Sequence, residues 1–302
     1  MRQPRQIKKE LSLGHDFKSL TKAYQEYAIQ QINYARDSVL ASRTFVQELV
    51  EIFYNVKSSY RHALEQQARN PKKGFFTTKQ DVFETTLQKN GKDVLVLITA
   101  NNKLYGDIVH KVIKDFLEVT KDSKADLVVV GKQGKIFFED SKFDRKYTYF
   151  EIPDTNVSTD LLHALMKTLI NYETVRVFYG KYNNMVSQEP VEVAVSGDLP
   201  TEEENPNKLQ TKEEHDFLFE PTLENVLHFF ESQIFYLILD QTISESQLGK
   251  FASRINAMER AQQNMDDWII DLKREQAKMK SSINNKKQQE QLAGRRLWGG
   301  RK

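Results

Sequence analysis

The sequence predicts a long antiparallel α-helical coiled coil formed by the N- and C-terminal helices, with a central Rossmann-like α/β lobe between them. Residues from about 6 to 67 and from about 223 to 290 carry apolar side chains mostly three or four positions apart, which is the spacing of an amphipathic helix. The middle of the chain alternates β-branched apolar runs with helical patterns, which indicates a mostly parallel sheet. Two helices so distant in sequence can pair only if the middle folds back as a lobe.

The first helical segment is predicted by an apolar stripe and by a lack of helix breakers. No proline occurs between Pro4 and Pro71, and the single internal glycine, Gly14, is expected to loosen the first turns. The stripe consists of Ile7, Leu11, Phe17, Leu20, Tyr24, Ala28, Ile32, Ala35, Val39, Phe45, Leu49, Phe53, Val56, Tyr60 and Leu64. A helix of this length needs a partner helix over part of its course, because the remaining chain is too small to cover it.

The last helical segment supplies that partner. Its apolar residues approximate a heptad seam made of Leu248, Phe251, Ile255, Met258, Met265, Trp268, Leu272, Met279 and Ile283. Gln262 takes one apolar place in this seam, and polar seam residues lower stability but fix the register. The prediction is an antiparallel pairing of the two ends; two separate amphipathic helices that pack elsewhere remain the alternative.

The middle of the chain provides the strands and helices of the predicted lobe. Candidate strands are Asp93–Ala100, Asp126–Gly131, Ile136–Glu139, Tyr147–Ile152, Thr174–Tyr179 and Pro190–Val195. Candidate helices are Asn102–Glu118 and Ser158–Asn171, the second with Ser158 or Thr159 as its N-cap. Prolines, glycines and charges mark linkers at 69–78 and 197–216. The predicted domains are therefore residues 1–70, 71–216 with an acidic loop at 197–216, and 217–302.

Composition excludes several functions. The 302 residues include 44 basic and 42 acidic ones, so a net charge of +2 gives no global reason to bind nucleic acid. The absence of cysteine excludes disulfides, thiolate metal sites and cysteine nucleophiles. No run reaches the roughly 18 apolar residues that span a bilayer. The sequence predicts a cytosolic protein without direct membrane insertion, attached to a membrane only through a partner.

The predicted lobe carries no recognisable catalytic, cofactor or metal motif. The chain lacks the GxxxxGK[ST] phosphate loop, and residues 101–106 after the first strand read NNKLYG rather than GxGxxG. Gly131 and Gly134, three residues apart, are typical of a turn. The six histidines lack metal-ligand spacing, and Asp266 and Asp267 are interpreted as a solvated helix face. The sequence therefore predicts no enzyme active site and no cofactor.

Several short motifs resemble those of one family in order and spacing. Residues 20–23 (LTKA) and 41–45 (ASRTF) are similar to I-T-K-A and A-S-R-P-Y. Residues 217–221 (FLFEP) and 231–233 (ESQ) resemble Y-L-Y-E-P and E-S-Q, and residues 251–258 (FASRINAM) are close to L-A-S-R-M-N-A-M. This set resembles the gamma subunit of F-type rotary ATP synthases, over nearly the whole chain.

The chain departs from the family pattern at four places. One is the stretch between Ser244–Glu245 and Phe251, which is about five residues longer than usual. Residues 101–106 stand where the family has D-R-G-L-C-G, and residues 261–264 (AQQN) stand in place of A-T-D-N. The small apolar C-terminus of the family is replaced by residues 297–302 (LWGGRK). These departures concern the contacts expected at the tip of the paired helices.

The resemblance implies a non-catalytic central-stalk subunit, or rotor shaft. Such a subunit couples ion-driven rotation of the membrane ring to ATP synthesis or hydrolysis in an alpha–beta hexamer. Its partners would be the alpha and beta subunits, the epsilon subunit and the c subunits of the ring, at the cytoplasmic face of a bacterial-type cell membrane. The alternatives are a coiled-coil scaffold protein derived from such a subunit and, less favoured, an enzyme that uses the Rossmann-like lobe.

The resemblance also implies two groups of contact residues. Contacts with the alpha–beta hexamer are expected from Lys8, Lys9, Thr21, Lys22, Arg254, Arg260, Gln262, Gln263 and Trp298. Contacts with epsilon or the rotor ring are expected from Arg43, Phe217, Phe219, Glu220, Glu231 and Gln233. Solvated helix faces are the alternative for the charged residues, and packing inside the lobe is the alternative for residues 217–220.

Overall fold

The computed structural model describes residues 3–69, 89–141, 143–195 and 223–298. In chain order the elements are α1 (Pro4–Arg69), β1 (Asp93–Ile98), α2 (Ile108–Asp122), β2 (Asp126–Val130), α3 (Lys132–Asp140), β3 (Thr148–Phe150), α4 (Thr159–Leu169), β4 (Thr174–Tyr182), β5 (Gln188–Ala194) and α5 (Leu223–Trp298). Two compact units can be distinguished: a helical unit of Met1–Gln30 with Arg254–Lys302, and an α/β unit of Gln31–Ser253. Each unit contains part of α1 and part of α5.

The α/β unit is built on a five-stranded sheet in the order β3-β2-β1-β4-β5. Strand β1 is parallel to both β2 and β4, β2 is parallel to β3, and only β5 runs antiparallel, against β4. At the centre of the sheet Val96 lies opposite Val128 on one side and Val177 on the other. The prediction of a mostly parallel Rossmann-like sheet is therefore confirmed.

Both faces of the sheet are covered, which explains why β1 and β2 are almost wholly apolar. Val94 and Val96 point into a cluster with α4 and with Phe235 and Leu239 of α5. The alternate residues of β1 point to the opposite face, where they pack against α2 and α3 in a cluster centred on Phe116. A strand buried on both faces cannot alternate apolar and polar residues, because each polar side chain would then lose its water.

Two segments differ from the sequence-based prediction. Residues 136–139, predicted as a strand, belong to helix α3, in which Phe138 stacks against Phe116. Helix α2 begins at Ile108 and not at residue 102, because Leu104 and Gly106 have positive φ angles that interrupt a helix. The predicted cap of α4 is confirmed, since the Ser158 hydroxyl accepts a hydrogen bond from the Leu161 amide. The linkers predicted at 69–78 and 197–216 lie almost wholly outside the described residues.

The two long helices pair in antiparallel fashion within each unit, as predicted. In the helical unit Lys18 of α1 contacts Asp266 of α5, and Gln25 contacts Gln262. Residue numbers in α5 therefore fall as those in α1 rise, as in an antiparallel pair. In the α/β unit Arg43 contacts Glu245, and Phe53 packs against Ile234 of α5. The core positions of α1 in the helical unit are Ile7, Leu11, Gly14, Lys18, Thr21, Gln25 and Ala28, in alternating steps of four and three.

The prediction for the apolar stripe of α1 is partly wrong. Phe17, Leu20, Tyr24 and Phe45 are exposed, and polar side chains occupy three consecutive core positions of the helical unit instead. Gly14 does not loosen the helix: it is buried, and a Cβ there would lie 3.0 Å from Cγ1 of Ile269. A small residue is required at this position because α5 approaches the α1 backbone closely.

Candidate functional site

The carboxyl ends of parallel strands are the usual place for a ligand in a doubly wound sheet. In this chain β1, β2 and β3 end at Ile98, Val130 and Phe150. The polar side chains that follow these strands form one cluster, and Lys250 of α5 is part of it. This cluster is the candidate site.

Asp154 is the centre of the cluster. Its carboxylate accepts hydrogen bonds from the Asn101 amide at 3.1 Å, from the Asn102 amide at 2.9 Å and from the Asn102 side chain at 3.1 Å. The Lys250 ammonium lies 3.1 Å from the same carboxylate and also donates to the Thr99 carbonyl at 3.1 Å. The side chains of Lys250 and Asp154 are only 7% and 3% exposed, so this is a buried and hydrogen-bonded ion pair.

The electrostatics of Asp154 favour its charged form. Burial alone raises the pKa of this carboxyl, because it disfavours the charged form. The positive charge of Lys250 and the hydrogen bonds from the Asn102 and Asn101 amides outweigh this effect and hold the pKa of Asp154 below its ordinary value. Asp154 is therefore a fixed negative charge at neutral pH, and not a proton donor or acceptor.

The first amides of α3 are already bound within the chain. In a nucleotide-binding fold these groups would face a phosphate. Here the Lys132 amide donates to the Asn101 side chain at 3.0 Å, the Gln133 amide to the Ala100 carbonyl at 2.8 Å, and the Gly134 amide to the Thr99 hydroxyl at 3.1 Å. At the start of α3, therefore, the donors that could bind a phosphate are engaged by β1 and its loop.

Helix α5 lies directly on β4 beside this cluster. A Cβ at Gly249 would lie 2.2 Å from the Gly180 carbonyl oxygen, and a Cβ at Gly180 would lie 2.5 Å from Cγ1 of Ile108. Only glycine at both positions permits helix, strand and α2 to approach so closely. Helix α5 therefore covers this part of β4.

A second buried polar cluster joins α1, α5 and β4. Arg43 donates hydrogen bonds to the Glu245 carboxylate and to the Tyr182 carbonyl, the second at 3.2 Å. The Tyr179 hydroxyl donates to the other oxygen of Glu245 at 3.0 Å, and the Gln241 side chain donates at 3.1 Å to the oxygen that Arg43 contacts. Burial, followed by the negative charge of Glu245, raises the pKa of Tyr179 far above its ordinary value, so Tyr179 stays a neutral donor.

These two clusters suit a structural joint rather than catalysis. Each charge has a partner of opposite sign inside the chain, Lys250 with Asp154 and Arg43 with Glu245. Among the residues that the structure describes, no group of three or more histidine and carboxylate side chains could hold a metal ion. In the same part of the chain no helix is long and apolar enough to cross a membrane.

A family model described as ATP synthase matches residues 3–283. The chain belongs to this family. The ATP synthase gamma chain of Mycoplasmopsis pulmonis is 25% identical over 289 residues, covering 92% of this chain and 95% of the relative. That of Glaesserella parasuis is 23% identical over 303 residues, covering 93% and 96%. The resemblance to the gamma subunit is therefore confirmed, and these relatives support the stalk subunit rather than a derived scaffold protein.

Solved structures of ATP synthases share the fold of this chain. A cryo-electron microscopy structure of the central stalk and c-ring from the Tetrahymena thermophila mitochondrial ATP synthase has a TM-score of 0.54 at 20% identity, covering 80% of this chain and 99% of the other. A Euglena gracilis mitochondrial ATP synthase structure of OSCP, F1 and c-ring has a TM-score of 0.53 at 16% identity, covering 89% and 95%. The predicted fold class is confirmed. As a gamma chain of this family, the protein is a non-catalytic subunit of an ATP synthase.

The residues predicted from this family to contact the alpha–beta hexamer differ in exposure. The exposed ones are Lys8, Lys9, Lys22, Arg260 and Gln263, whereas Thr21 and Gln262 are half-buried. Gln262 donates to the Gln25 side chain at 2.7 Å across the helix pair. Arg254 is buried, with its guanidinium 5.7 Å from the centre of the Tyr24 ring. The side chain of Trp298 lies outside the described residues. All these contacts remain predictions.

The residues predicted to contact epsilon or the ring also remain predictions. Arg43 is engaged within the chain, as described above, while Glu231 is half-buried and Gln233 is exposed. Phe217, Phe219 and Glu220 lie outside the described residues. The structure instead reveals Asp154, Glu245 and Lys250, which the sequence did not single out. The sequence signal nearest to Glu245 and Lys250 is the stretch before Phe251, which is about five residues longer than in the family pattern, and Asp154 has no such signal.

Proposed function

We propose that this chain is the rotor shaft of an F-type ATP synthase, which couples ion-driven rotation of a membrane ring to ATP synthesis or hydrolysis in an alpha–beta hexamer. The observation that carries the proposal is the match of the ATP synthase family model across residues 3–283, which includes most of both long helices. The residue clusters described above add support, because they join elements of the chain and their charges pair with one another.

The coupling works by differential contact. A helix pair presents different side chains on its different faces, so each catalytic interface meets a different surface as the pair turns. A partner that contacts one conformation of an interface more favourably than another shifts its population by that difference in free energy. Interlocked side chains let two packed helices resist bending and twisting better than one helix.

An exposed apolar stripe on α1 supports a partner around the helical unit. Leu13, Phe17, Leu20, Tyr24 and Tyr27 are exposed and follow one another in steps of four and three. Such spacing places them along one face of the helix, distinct from the core positions that face α5. Contiguous exposed apolar surface on a soluble protein marks an interaction site. The proposed occupant is the alpha–beta hexamer.

The charged contacts would surround this stripe. Lys8, Lys9 and Lys22 on α1 and Arg260 on α5 are exposed and would meet acidic groups of the alpha and beta subunits. Thr21, Arg254, Gln262, Gln263 and Trp298 complete the proposed hexamer contacts. The proposed contacts with epsilon and the c subunits are Arg43, Phe217, Phe219, Glu220, Glu231 and Gln233. The protein would reach the cytoplasmic face of the cell membrane through these partners alone.

Co-purification tests the proposed function. An affinity-tagged chain expressed in its own cells should be recovered with alpha, beta and epsilon subunits, at one copy per complex. A chain that is recovered only alone, or with unrelated proteins, would contradict the proposal.

Two variants of α1 sharpen this test. Leu20→Glu places a charge on the exposed apolar stripe and should reduce recovery of the alpha and beta subunits. Ser19→Glu introduces the same charge one residue away, at an exposed position outside the stripe, and should preserve recovery. Equal recovery of the alpha and beta subunits with both variants would show that the exposed apolar stripe is not part of the interface.

A further inference from the structure

Helix α5 is attached to the sheet by contacts of two kinds. The first kind is steric: Gly249 of α5 touches Gly180 of β4, and Phe235, Leu239 and Ile243 pack into the core on the same face of the sheet. Contacts of this kind fix the distance between helix and sheet. They restrain sliding along the helix axis and rotation about it less strongly, because apolar attraction is not directional.

The second kind of contact is directional. The Lys250 ammonium donates to both the Asp154 carboxylate and the Thr99 carbonyl, each at 3.1 Å, and lies 6.0 Å from the centre of the Tyr105 ring. It therefore has three neighbours of suitable charge or polarity on the sheet side. A hydrogen-bonded ion pair in a buried environment is stronger and more specific in direction than one in water.

The acceptor of this pair is itself held in place. The Asp154 carboxylate accepts hydrogen bonds from the backbone amides of Asn101 and Asn102 and from the side-chain amide of Asn102. Both asparagines follow the central strand β1. Asn101 in turn donates to the Ile152 carbonyl at 2.8 Å and accepts from the Lys132 amide at 3.0 Å. Lys250 is thus connected through Asp154 to the ends of β1, β2 and β3 together.

We propose that Lys250 is a positioning residue that holds α5 at a fixed rotation on the sheet, so that the sheet turns with α5 without slipping. The inference rests on the proposed function, since only a rotor must transmit torque between its helix and its sheet. A residue that merely adds stability would alter the amount of assembled complex. A residue that prevents slip also alters how many ions are moved for each ATP hydrolysed.

The test uses the whole ATP synthase complex, reconstituted in phosphatidylcholine–phosphatidylglycerol vesicles. ATP hydrolysis and ATP-driven ion uptake are measured on the same vesicles, and their ratio gives the ions moved per ATP. Lys250→Met is expected to lower this ratio while hydrolysis continues. Lys250→Arg keeps the charge, so its ratio of ions moved per ATP is expected to lie closer to that of the unmodified complex than the ratio of Lys250→Met.

A matched control comes from the opposite end of the same sheet. Lys92 pairs with Asp126 at 3.8 Å, but this pair is exposed. Lys92→Met removes the same charge from the same unit and should leave the ratio unchanged. An equal loss with Lys92→Met would contradict the assignment to Lys250.

A double variant separates positioning from stability. Lys250→Met with Asp154→Leu removes both buried charges, which relieves the unpaired charge that either single change leaves behind. We expect this complex to assemble and hydrolyse ATP, yet still to move fewer ions per ATP. A ratio equal to that of the unmodified complex would overturn the inference. Failure of the unmodified complex to drive any ion uptake would contradict the proposed function itself, which is a different outcome.

Discussion

Each of the two compact units contains a lysine–aspartate pair that joins distant parts of the chain, but the two pairs lie in different environments. In the helical unit, Lys18 of α1 contacts Asp266 of α5, and the two side chains are 39% and 49% exposed. In the α/β unit, Lys250 contacts Asp154, and both side chains are less than 10% exposed. The same type of ion pair is therefore partly exposed to solvent in the helical unit and buried in the α/β unit.

This difference determines what each pair contributes. An exposed ion pair stabilises a protein by only about 0–1 kcal/mol, because water competes for both charges. Removal of one partner from a buried pair costs about 3–5 kcal/mol, because the remaining charge has no water to replace its partner. We infer that the helix pairing of the helical unit depends little on its ion pair, whereas the attachment of α5 to the sheet depends strongly on Lys250 and Asp154.

The largest effect is expected from Asp154→Ala. The change removes the carboxylate that pairs with the Lys250 ammonium and accepts from the Asn101 and Asn102 amides, and should lower the free energy of unfolding by about 3–5 kcal/mol. Asp266→Ala, the matched change in the helical unit, should lower it by no more than about 1 kcal/mol. Urea unfolding of the two purified variants measures both values. Similar losses would show that burial does not distinguish the pairs.

The next effect concerns the contact between α5 and β4. Gly249→Ala places a Cβ 2.2 Å from the Gly180 carbonyl oxygen, so helix and strand must separate. Overpacking of this kind costs about 1–3 kcal/mol. Gly294→Ala is the control, because it lies in the same helix and the added Cβ meets no atom from another part of the chain within 4 Å. It should stabilise by up to about 1 kcal/mol, since alanine favours a helix. Thermal unfolding of both variants provides the measurement.

The pH dependence of stability should reveal the buried carboxylate. The Lys250 charge and the backbone amides hold the folded-state pKa of Asp154 below the ordinary value of about 3.9. On acidification the unfolded chain therefore takes up this proton at a higher pH than the folded protein does. The contribution of Asp154 to stability is complete above about pH 4 and declines as the pH falls through the folded-state pKa. Asp154→Asn should flatten the stability curve in this acid range. A variant curve parallel to that of the unmodified protein would contradict the assignment.

Asp240 of α5 should show the opposite dependence. Burial raises the pKa of this carboxyl, so the folded protein retains a proton that the unfolded chain loses. Its contribution to stability therefore declines as the pH rises from about 4 through the raised pKa. Asp240→Asn should remove this decline, and unfolding curves between pH 4 and neutrality measure it. An unchanged curve in this range would exclude a raised pKa for Asp240.

The smallest effect is expected in the polar core of the helical unit. Gln25 and Gln262 bond to each other at 2.7 Å between the helices. The double change Gln25→Leu with Gln262→Leu should be neutral or stabilising by about 1 kcal/mol, because both hydrogen-bonding groups leave together. Either single change leaves one amide without its partner and should be less favourable. Guanidinium unfolding compares the three variants, and a double variant less stable than both single ones would exclude this explanation.

Local patterns in the sequence were sufficient for most of the elements. The β-branched run of β1 and the helical spacing around Leu272 depend on residues near one another, and the strand and the helix that they predict were confirmed. The predicted seam of α5 is wrong at Ile283, which is exposed. Residues 136–139 of α3 were predicted as a strand, because four residues are too few to show a period and Phe138 among them packs by a contact made only in the fold.

The joint between α5 and the sheet could not be predicted from the sequence. Lys250 and Asp154 are 96 positions apart. Neither residue belongs to a motif, and a lysine in a long helix ordinarily indicates a solvated face. The pair becomes visible only after the sheet order brings the loop that follows β3 beside α5. The apolar stripe of α1 was misassigned for a related reason, since two adjacent heptad seams run along the same helix and spacing alone does not tell which one faces α5.

A pair of double-mutant cycles tests the central claim most directly. One cycle combines Lys250→Met with Asp154→Asn, and the other combines Lys18→Met with Asp266→Asn, with the free energy of unfolding measured for every variant. A coupling energy of several kcal/mol is expected for the buried pair, and one of about 0–1 kcal/mol for the exposed pair. Equal coupling energies would contradict the claim that the enclosed pair fixes α5 on the sheet.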